Sequence, residues 1–255
     1  MIKANKQTDG SGLPVLSIVV VVYNAGQTLE QTLLSVVKQT YQNIQLIVID
    51  GGSTDNTVDI IKRYEDSIFY WVSEPDKGIY DAMNKAVGIA SGDWIYFLGS
   101  GDLLINIIDK VIPKLIDNHT IYYGNVYRND LMCVYRGKFT PFRLSRLSIC
   151  HQAILYPLAA VKKYKFDTKY RVQADHHLNM LLYGDKDYKF KYIDVIVALY
   201  DGAGFSDVNR DIPFFRDRLQ IVKANFPFVV YLYAYMRSVV AKLLNRDYLE
   251  ENKSE

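Results

Sequence analysis

Three short apolar runs in the first part of the chain each end in a polar signature. The runs are LSIVVVV (16–22), IQLIVID (44–50) and GDWIYFLG (92–99), and the signatures are YN (23–24), DGGSTD (50–55) and LGSGD (98–102). Continuous apolar runs of this length are typical of strands that are buried on both faces of a parallel sheet. Because the carboxyl ends of parallel strands form the ligand crevice of an open α/β sheet, we expect the three signatures to build one site.

Helical patterns separate these strands. Residues 27–39 and 79–90 repeat apolar side chains at the spacing of a helix that lies on a sheet, and IFYWV (68–72) reads as a further strand. This alternation predicts an α/β fold with right-handed crossovers and a mostly parallel central sheet flanked by helices. Beyond about residue 120 the strand-like segments become shorter and rich in tyrosine. They predict a second half built onto the edge of the sheet, with one clear helix at 173–183.

Charge and cysteine content exclude some classes of protein. The formal net charge is +2, without the large basic excess of a nucleic-acid-binding protein, so nucleic acid is not expected as a partner. Cys133 and Cys150 form no disulfide or metal-binding pattern. The first residues lack the design of a signal peptide. We therefore expect a cytoplasmic protein.

The segment 226–244, FPFVVYLYAYMRSVVAKLL, has nearly the length of a membrane span but contains Arg237 and Lys242. We favour a helix that lies in the membrane interface or packs on the protein body over one that crosses the bilayer. Neighbouring cations would favour an anionic leaflet, on the inner face of the plasma membrane; they are Arg216, Arg218, Lys223 and Arg246. An ordinary helix buried against the body is the alternative to membrane contact.

The common glycine-rich phosphate-binding motifs are missing from the sequence. YNAGQT follows the first strand, where G-x-G-x-x-G would be required, and no GK[ST] occurs. Instead, Asp50 ends the second strand and precedes two glycines that let the backbone pass close to a ligand. A carboxylate at this place can bind an imide N–H or ribose hydroxyls. DGGSTD could instead be a simple strand-to-helix turn in which Asp55 completes a helix cap.

Five segments follow one another in a distinctive order. They are SIVVVVYN (17–24), SVVKQT (35–40), IVIDGGSTDNT (47–57), EPDKGIYDAMNKA (74–86) and GDWIYFLGSGD (92–102). Together they resemble glycosyltransferase family 2, whose members have the GT-A fold. The resemblance is dense over residues 15–105 and looser to about residue 206. It implies transfer of a sugar from a nucleotide sugar, such as a UDP-hexose, with inversion at the anomeric carbon.

The residue patterns and the resemblance together predict a division of the chain into functional segments. These are a flexible N-terminus (1–13), a nucleotide-sugar-binding half (14–110), an acceptor-binding and catalytic half (111–211), C-terminal helices (212–248) and a disordered tail (249–255).

On the donor side, the family's nucleoside contacts correspond to four residues of this chain. They are Tyr23, Asn24, Asp50 and Asp76, and the resemblance adds Lys77, Asp81, Ser100 and Gly101 to the donor-binding set. For Asp76, Lys77 and Asp81 the alternative is a local ion-paired loop without a ligand.

The family's metal motif, commonly Asp-x-Asp, appears here as Ser100-Gly101-Asp102, so only Asp102 matches. One carboxylate together with donor diphosphate oxygens and waters can hold Mg²⁺ or Mn²⁺. The metal would neutralise charge on the departing nucleoside diphosphate. The serine in place of the first carboxylate leaves open whether the metal is required.

The catalytic base implied by the resemblance is Asp175, in YRVQADHHLNMLLYG (170–184). An aspartate at the start of a helix could instead be a cap favoured by the helix dipole. The following His176 and His177 point to different helix faces, so we do not expect them to share a metal ion.

Two further segments resemble parts of the family's second half. CHQAILY (150–156) resembles an acceptor-side segment, so His151 and Gln152 would contact a sugar hydroxyl or phosphate, with a purely structural histidine as the alternative. YDGAGFS (200–206) would close on the donor, with a simple turn as the alternative.

These patterns favour an inverting glycosyltransferase that extends a glycan on a polyprenyl-diphosphate lipid in bacterial surface polysaccharide synthesis. The alternative is a weakly active or inactive carbohydrate-binding scaffold of the same fold, which the missing first metal carboxylate would allow. A processive polysaccharide synthase is disfavoured because the sequence contains no Gln-x-x-Arg-Trp motif.

Overall fold

The computed structural model describes residues 12–135, 137–202 and 210–243. Its first four strands form the parallel half of a sheet in the order β3-β2-β1-β4. They are β1 (Leu16–Val22), β2 (Ile44–Asp50), β3 (Tyr70–Ser73) and β4 (Trp94–Gly99). Val22 lies opposite Asp50 and Val21 lies opposite Gly99. The three polar signatures therefore leave the sheet at one edge, as the sequence predicts.

Helices cover both faces of this parallel half. α1 (Leu29–Val37) and α2 (Thr57–Arg63) share a core layer with Val20 of β1, whereas α3 (Ile79–Ile89) shares the opposite layer with Val21. Burial on both faces explains why these strands are apolar without alternation. The predicted helices at 27–39 and 79–90 and the strand at 68–72 are confirmed, with ends displaced by one or two residues.

The second half continues the sheet from its β4 edge. β8 (Ile154–Pro157) pairs antiparallel with β4, and β6 (Thr120–Arg128) pairs antiparallel with β8 and parallel with β9 (Lys189–Tyr200). Two short strands, β5 (Leu103–Leu104) and β7 (Cys133–Tyr135), add antiparallel pairs to β9 and β6. The addition of a second half at the edge is confirmed. It makes the whole sheet mixed, because β8, β5 and β7 pair antiparallel with their neighbours, whereas the first four strands and the β6–β9 pair are parallel.

Among the described residues, four helices follow β4 and precede the C-terminal pair. They are α4 (Ile108–Val111), α5 (Pro141–Leu144), α6 (Leu158–Tyr164) and α7 (Ala174–Gly184), and short 3-10 turns lie at Glu65–Ser67, Ile112–Lys114 and His151–Ala153. The helix predicted at 173–183 is α7. The other helices escape prediction because four to seven residues are too few for a helical repeat to stand out.

Two C-terminal helices, α8 (Ile212–Asn225) and α9 (Phe228–Leu243), complete the described structure. α8 packs on α7, and α9 packs on α8 and α5. Within the described ranges, no helix is both long enough and apolar enough to cross a membrane. Apart from residues 12 and 13, the flexible ends predicted at 1–13 and 249–255 lie outside the described residues, as does 203–206 of the predicted closing segment.

Candidate active site

The carboxylate of Asp50, at the end of β2, is fully buried and directed into the protein. It accepts hydrogen bonds from the backbone N–H of Gly52 (3.2 Å) and Ser53 (3.0 Å), from the hydroxyl of Ser73 (2.6 Å) and from the hydroxyl of Ser53. Three of these donors go to Oδ2 and one to Oδ1, so most of the acceptor capacity of the carboxylate is used within the protein. In this structure Asp50 therefore shapes the DGGSTD loop, and its contact with a nucleoside stays a prediction.

Asn24 joins the end of β1 to the same loop. It adopts a left-handed backbone conformation with φ of 48°, which asparagine tolerates better than most residues. Its N–H donates to Ser53 Oγ at 2.7 Å, and its Oδ1 accepts from the N–H of Thr54 at 2.9 Å. The predicted donor-side residue Asn24 thus positions two strand ends relative to each other.

Tyr23 and Asp76 meet beside Gly51. A Cβ atom on Gly51 would lie 2.5 Å from Asp76 Oδ2 and 3.4 Å from Tyr23 Cδ2, so this close approach requires a glycine. The Tyr23 ring is 64% exposed and is available for contact with a flat ligand. Two of the predicted nucleoside contacts are therefore neighbours in space.

A cavity of about 630 Å³ opens at this edge of the sheet, within the size range of small-molecule sites. Its lining includes Tyr23, Asp76, Lys77, Tyr80, Asp81 and Arg171. The predicted local loop is also present, since Asp81 accepts from the N–H of Lys77 at 3.0 Å and Asp76 accepts from the N–H of Gly78 at 2.7 Å. The side chain of Lys77 forms no ion pair within the described residues, so its charge can serve a ligand.

The LGSGD loop after β4 is held against the start of α1. Ser100 Oγ lies 2.9 Å from Thr28 Oγ1, and the N–H of Gly101 donates to Thr32 Oγ1 at 3.0 Å. Gly101 has a φ of 100°, a conformation that side-chain-bearing residues rarely adopt. Ser100, at the position of the missing carboxylate, therefore has a structural partner on α1.

Asp102 is buried, with only 5% of its surface exposed. Its Oδ2 accepts from Gln152 Nε2 at 2.7 Å, and its Oδ1 accepts from the backbone N–H of Asp201 at 3.2 Å. Burial raises the pKa of Asp102 above its ordinary value, and the Gln152 hydrogen bond offsets only part of that rise. A Cβ atom on the preceding Gly99 would lie 2.8 Å from Oδ2, so glycine is needed for this packing.

Asp175 lies in the first turn of α7 and is 7% exposed. Its Oδ1 accepts from the hydroxyl of Tyr80 at 3.0 Å and from the N–H of His176 at 2.7 Å. Its Oδ2 lies 3.5 Å from Ser148 Oγ and 3.7 Å from His151 Nδ1. Burial is the largest single influence and by itself would raise the pKa of Asp175, but the interactions with His151 and His176 together lower it below the ordinary value. The carboxylate is therefore ionised at neutral pH.

One 3-10 turn, His151–Ala153, connects the two aspartates. Its first residue, His151, faces Asp175, and its second, Gln152, donates to Asp102. The hydroxyl of Tyr96 donates to the carbonyl oxygen of Gln152 at 2.7 Å and fixes the turn. The two residues predicted on the acceptor side thus join the candidate base to the candidate metal ligand.

The histidines that follow Asp175 have structural surroundings. His176 is buried, with Nε2 2.7 Å from the carbonyl oxygen of Leu144, and His177 packs edge-on against Tyr170. In the part of the chain that the structure describes, no group of three or more His, Cys, Asp or Glu residues could hold a metal. That His176 and His177 do not share a metal ion stays a prediction.

Several site residues were not singled out from the sequence. Tyr80 falls in the predicted helix at 79–90, where one aromatic residue in an amphipathic pattern normally indicates core packing. Ser148 lies in a segment without a motif, and Arg171 lies in YRVQADHHLNMLLYG (170–184), where the resemblance points to Asp175. Both reach the site through tertiary contacts that a local pattern does not encode, since Ser148 lies beside Asp175 and Arg171 lines the cavity.

The parallel α/β half has a cavity at its strand ends, and a mixed second half extends the sheet at one edge. This is the architecture of the GT-A class of glycosyltransferases. Residues 17–197 match the family model described as glycosyl transferase family 2. The chain belongs to that family.

Relatives of known name agree with this assignment. A PGL/p-HBAD biosynthesis glycosyltransferase of Mycobacterium bovis is 32% identical over 200 residues, which cover 75% of this chain and 78% of the relative. An uncharacterized glycosyltransferase of Haemophilus influenzae is 26% identical over 255 residues, with 87% and 96% covered.

Solved structures of low sequence identity share the fold. S. aureus TarS 1-349 in complex with UDP superposes with a TM-score of 0.69 at 18% identity, over 94% of this chain and 73% of that chain. The mannosyltransferase PcManGT from Pyrobaculum calidifontis, in complex with GDP-Man and Mn²⁺, superposes with a TM-score of 0.61 at 13% identity, over 91% of this chain and 81% of that chain. The predicted GT-A fold is confirmed.

Proposed function

We propose that this glycosyltransferase inverts the anomeric centre and transfers a hexose from a nucleotide sugar, a UDP-hexose, to a lipid-linked glycan. The observation that carries the proposal is the position of Tyr80. This residue lines the cavity and donates a hydrogen bond to Asp175, so one tyrosine side chain connects the cavity wall to the ionised carboxylate behind it.

The donor half of the proposal is supported by the contents of the cavity. The exposed ring of Tyr23 and the carboxylate of Asp76 offer a stacking surface and a hydrogen-bond acceptor to a nucleoside. Lys77 and Arg171 supply positive charge suited to a diphosphate. The solved relatives named above contain UDP or GDP-Man, which agrees with a nucleotide-sugar donor.

In the proposed reaction, Asp175 acts as a general base. Its carboxylate takes the proton from an acceptor hydroxyl, whose oxygen forms a bond to the anomeric carbon while the bond from that carbon to the diphosphate oxygen breaks. The nucleoside diphosphate leaves with the electron pair of that bond. Attack from the face opposite the leaving group inverts the configuration.

Asp102 has the capacity to hold a divalent cation. Two of the roughly four acceptor sites on its carboxylate are occupied by N–H donors, and the others remain for Mg²⁺ or Mn²⁺. Burial without a cation disfavours the charged carboxylate, as the raised pKa of Asp102 indicates. When bound, the metal would neutralise charge on the departing diphosphate. Ser100 could add a hydroxyl ligand, because a hydroxyl that shares one hydrogen bond with Thr28 keeps a lone pair free.

Nucleotide release from a panel of UDP-, GDP- and dTDP-sugars, with and without Mn²⁺, tests the proposal. We expect donor hydrolysis that is specific for one nucleotide, stimulated by Mn²⁺ and abolished by Asp102→Ala. The scaffold alternative, which Ser100 in place of a carboxylate favours, predicts binding of a donor without turnover in the presence of lipid-linked acceptors from the native strain.

A further inference from the structure

The last described helix, α9, is apolar on both of its faces. Small or apolar residues at Val230, Ala234, Ser238 and Ala241 are buried against the body. The opposite face carries exposed apolar side chains, and their exposed fractions run from 44% for Leu232 to 79% for Leu243. They are Phe228, Val229, Leu232, Tyr235, Met236, Val240 and Leu243. A surface helix normally exposes polar residues to water, so this outer apolar face is typical of a surface that contacts a membrane or another protein.

The charges beside the outer face of α9 are positive. The sequence contains no Asp or Glu between Asp217 and Asp247. The ammonium group of Lys223 lies 5.9 Å from the centre of the Tyr231 ring, the guanidinium of Arg237 lies 5.9 Å from that of Tyr233, and Lys242 is exposed. Cations and tyrosines bordering an apolar strip are typical of a helix at the surface of an anionic bilayer.

Arg218, which the sequence predicts among the cations beside this surface, is buried instead. Arg218 is only 3% exposed, and its guanidinium lies 5.6 Å from the centre of the Phe215 ring. The prediction that Arg218 faces an anionic leaflet is therefore wrong, because its position on α8 turns it into the protein.

We propose that α9 lies flat on an anionic membrane, with its outer apolar face in the headgroup region. A second copy of the chain is a poorer cover, because a two-fold contact through this face would bring the cations of both helices together. The inference deepens the proposed function and rests on it, since a lipid-linked acceptor would have to be met at such a surface.

The position of α9 agrees with this role. The ring of Tyr233 packs against Phe142 at 5.3 Å, and its hydroxyl lies 3.4 Å from Arg146 Nη1. Ser148, beside Asp175, is two residues further along the chain. Two residues span at most about 7 Å. The membrane-facing helix is thus linked by one short segment to the candidate base.

Cosedimentation of the full chain with lipid vesicles tests the inference. We expect binding to vesicles of phosphatidylcholine mixed with phosphatidylglycerol, weaker binding to phosphatidylcholine alone, and weakening by added salt. The double variant Leu232→Ser, Met236→Gln removes apolar surface without adding charge. Since burying one such side chain is worth roughly a tenfold change or more in a binding constant, we expect at least a tenfold loss of vesicle binding.

Matched variants control for exposure and charge. Ile116→Ser removes an apolar side chain that is 81% exposed and remote in sequence from α9, and it should leave vesicle binding unchanged. Lys242→Gln should weaken binding to the anionic vesicles, whereas Lys114→Gln should not. Donor-nucleotide binding of each variant reports that the fold is intact.

Three results would overturn the inference. The first is an absence of vesicle binding by the wild-type chain while it binds nucleotide. The second is equal loss from the α9 and Ile116 variants. The third is a concentration-dependent dimer in sedimentation equilibrium that the α9 variant abolishes. Because none of these measurements uses turnover, failure of this inference can be told apart from failure of the proposed function.

Discussion

At the scale of single residues, the site depends on how the surroundings of two aspartates shift their pKa values. Burial raises the pKa of Asp102, whereas the neighbouring His151 lowers that of the equally buried Asp175. The surroundings of Asp102 suit a carboxylate that binds a cation. Those of Asp175 suit a carboxylate that is ionised at neutral pH and can accept a proton. Their opposite shifts are the chemical basis of the roles proposed for them.

Replacement of the candidate base tests its role directly. Asp175→Asn keeps the size and most hydrogen bonds of the side chain but removes its capacity to accept a proton. We expect turnover to fall by roughly 10²–10⁴-fold with donor binding unchanged in calorimetry. Asp59→Asn, at a side chain that is 80% exposed on α2, is the matched control. Near-normal turnover in Asp175→Asn would sink the assignment.

The pH dependence tests the contact between His151 and Asp175. A folded-state pKa that His151 lowers must rise when His151 is replaced, so His151→Asn should move the acid limb of the kcat profile to higher pH. Activity should then be lost earlier as pH falls. His119→Asn replaces an exposed histidine as the control. If His151 serves only as structure, the acid limb will stay in place while the Tm falls.

At the scale of elements, the site consists of strand ends that must pass close to one another. Gly51→Ala brings a Cβ within 2.5 Å of Asp76 Oδ2, at the flexible end of a side chain that can move aside. We therefore expect a higher KM for the donor with little change in Tm. Gly88→Ala, in α3 with no atom near its Cβ position, should leave KM unchanged and stabilise the helix by roughly 0.5–1 kcal/mol. Equal KM values for both variants would contradict this role of Gly51.

The start of α7 depends on an aspartate from the next helix. Asp211 is 2% exposed, and its Oδ2 accepts from the N–H of Val172 at 2.7 Å and of Gln173 at 3.0 Å. Its Oδ1 accepts from the N–H of Phe214 at 3.3 Å. Asp211→Ala leaves these amides without partners, and we expect a loss of roughly 2–4 kcal/mol in the free energy of unfolding. Urea denaturation measures this loss, with Asp109→Ala on the surface of α4 as the control. An equal loss in the two variants would contradict the role given to Asp211.

At the scale of the whole molecule, the sequence was informative where structure is local. The strand–helix alternation and the common edge for residues 23–24, 50–55 and 98–102 were predictable, because a parallel sheet buried on both faces imposes continuous apolar runs. The order of the strands in the second half was not predictable from the sequence. The antiparallel pairing of β8 with β4, for example, joins residues about 60 positions apart.

The contacts within the site were less predictable than its location. Asp175 and Asp102 could be named, but their connection through His151 and Gln152 depends on a 3-10 turn of three residues that no periodicity reveals. The burial of the tyrosines was equally hard to predict from the sequence. Tyr96, Tyr122 and Tyr156 are fully buried, although an aromatic ring with a polar tip is equally suited to a sugar or a membrane surface.

The central claim, transfer with inversion, is tested most directly by the anomeric configuration of the first product. A UDP-hexose with an α-linked sugar, incubated with the enzyme and followed by time-resolved ¹H NMR, should give a β-configured product, either transferred to an acceptor or released to water. Asp175→Asn should slow its appearance. A product of α configuration, or a bound donor that never reacts, would contradict the account.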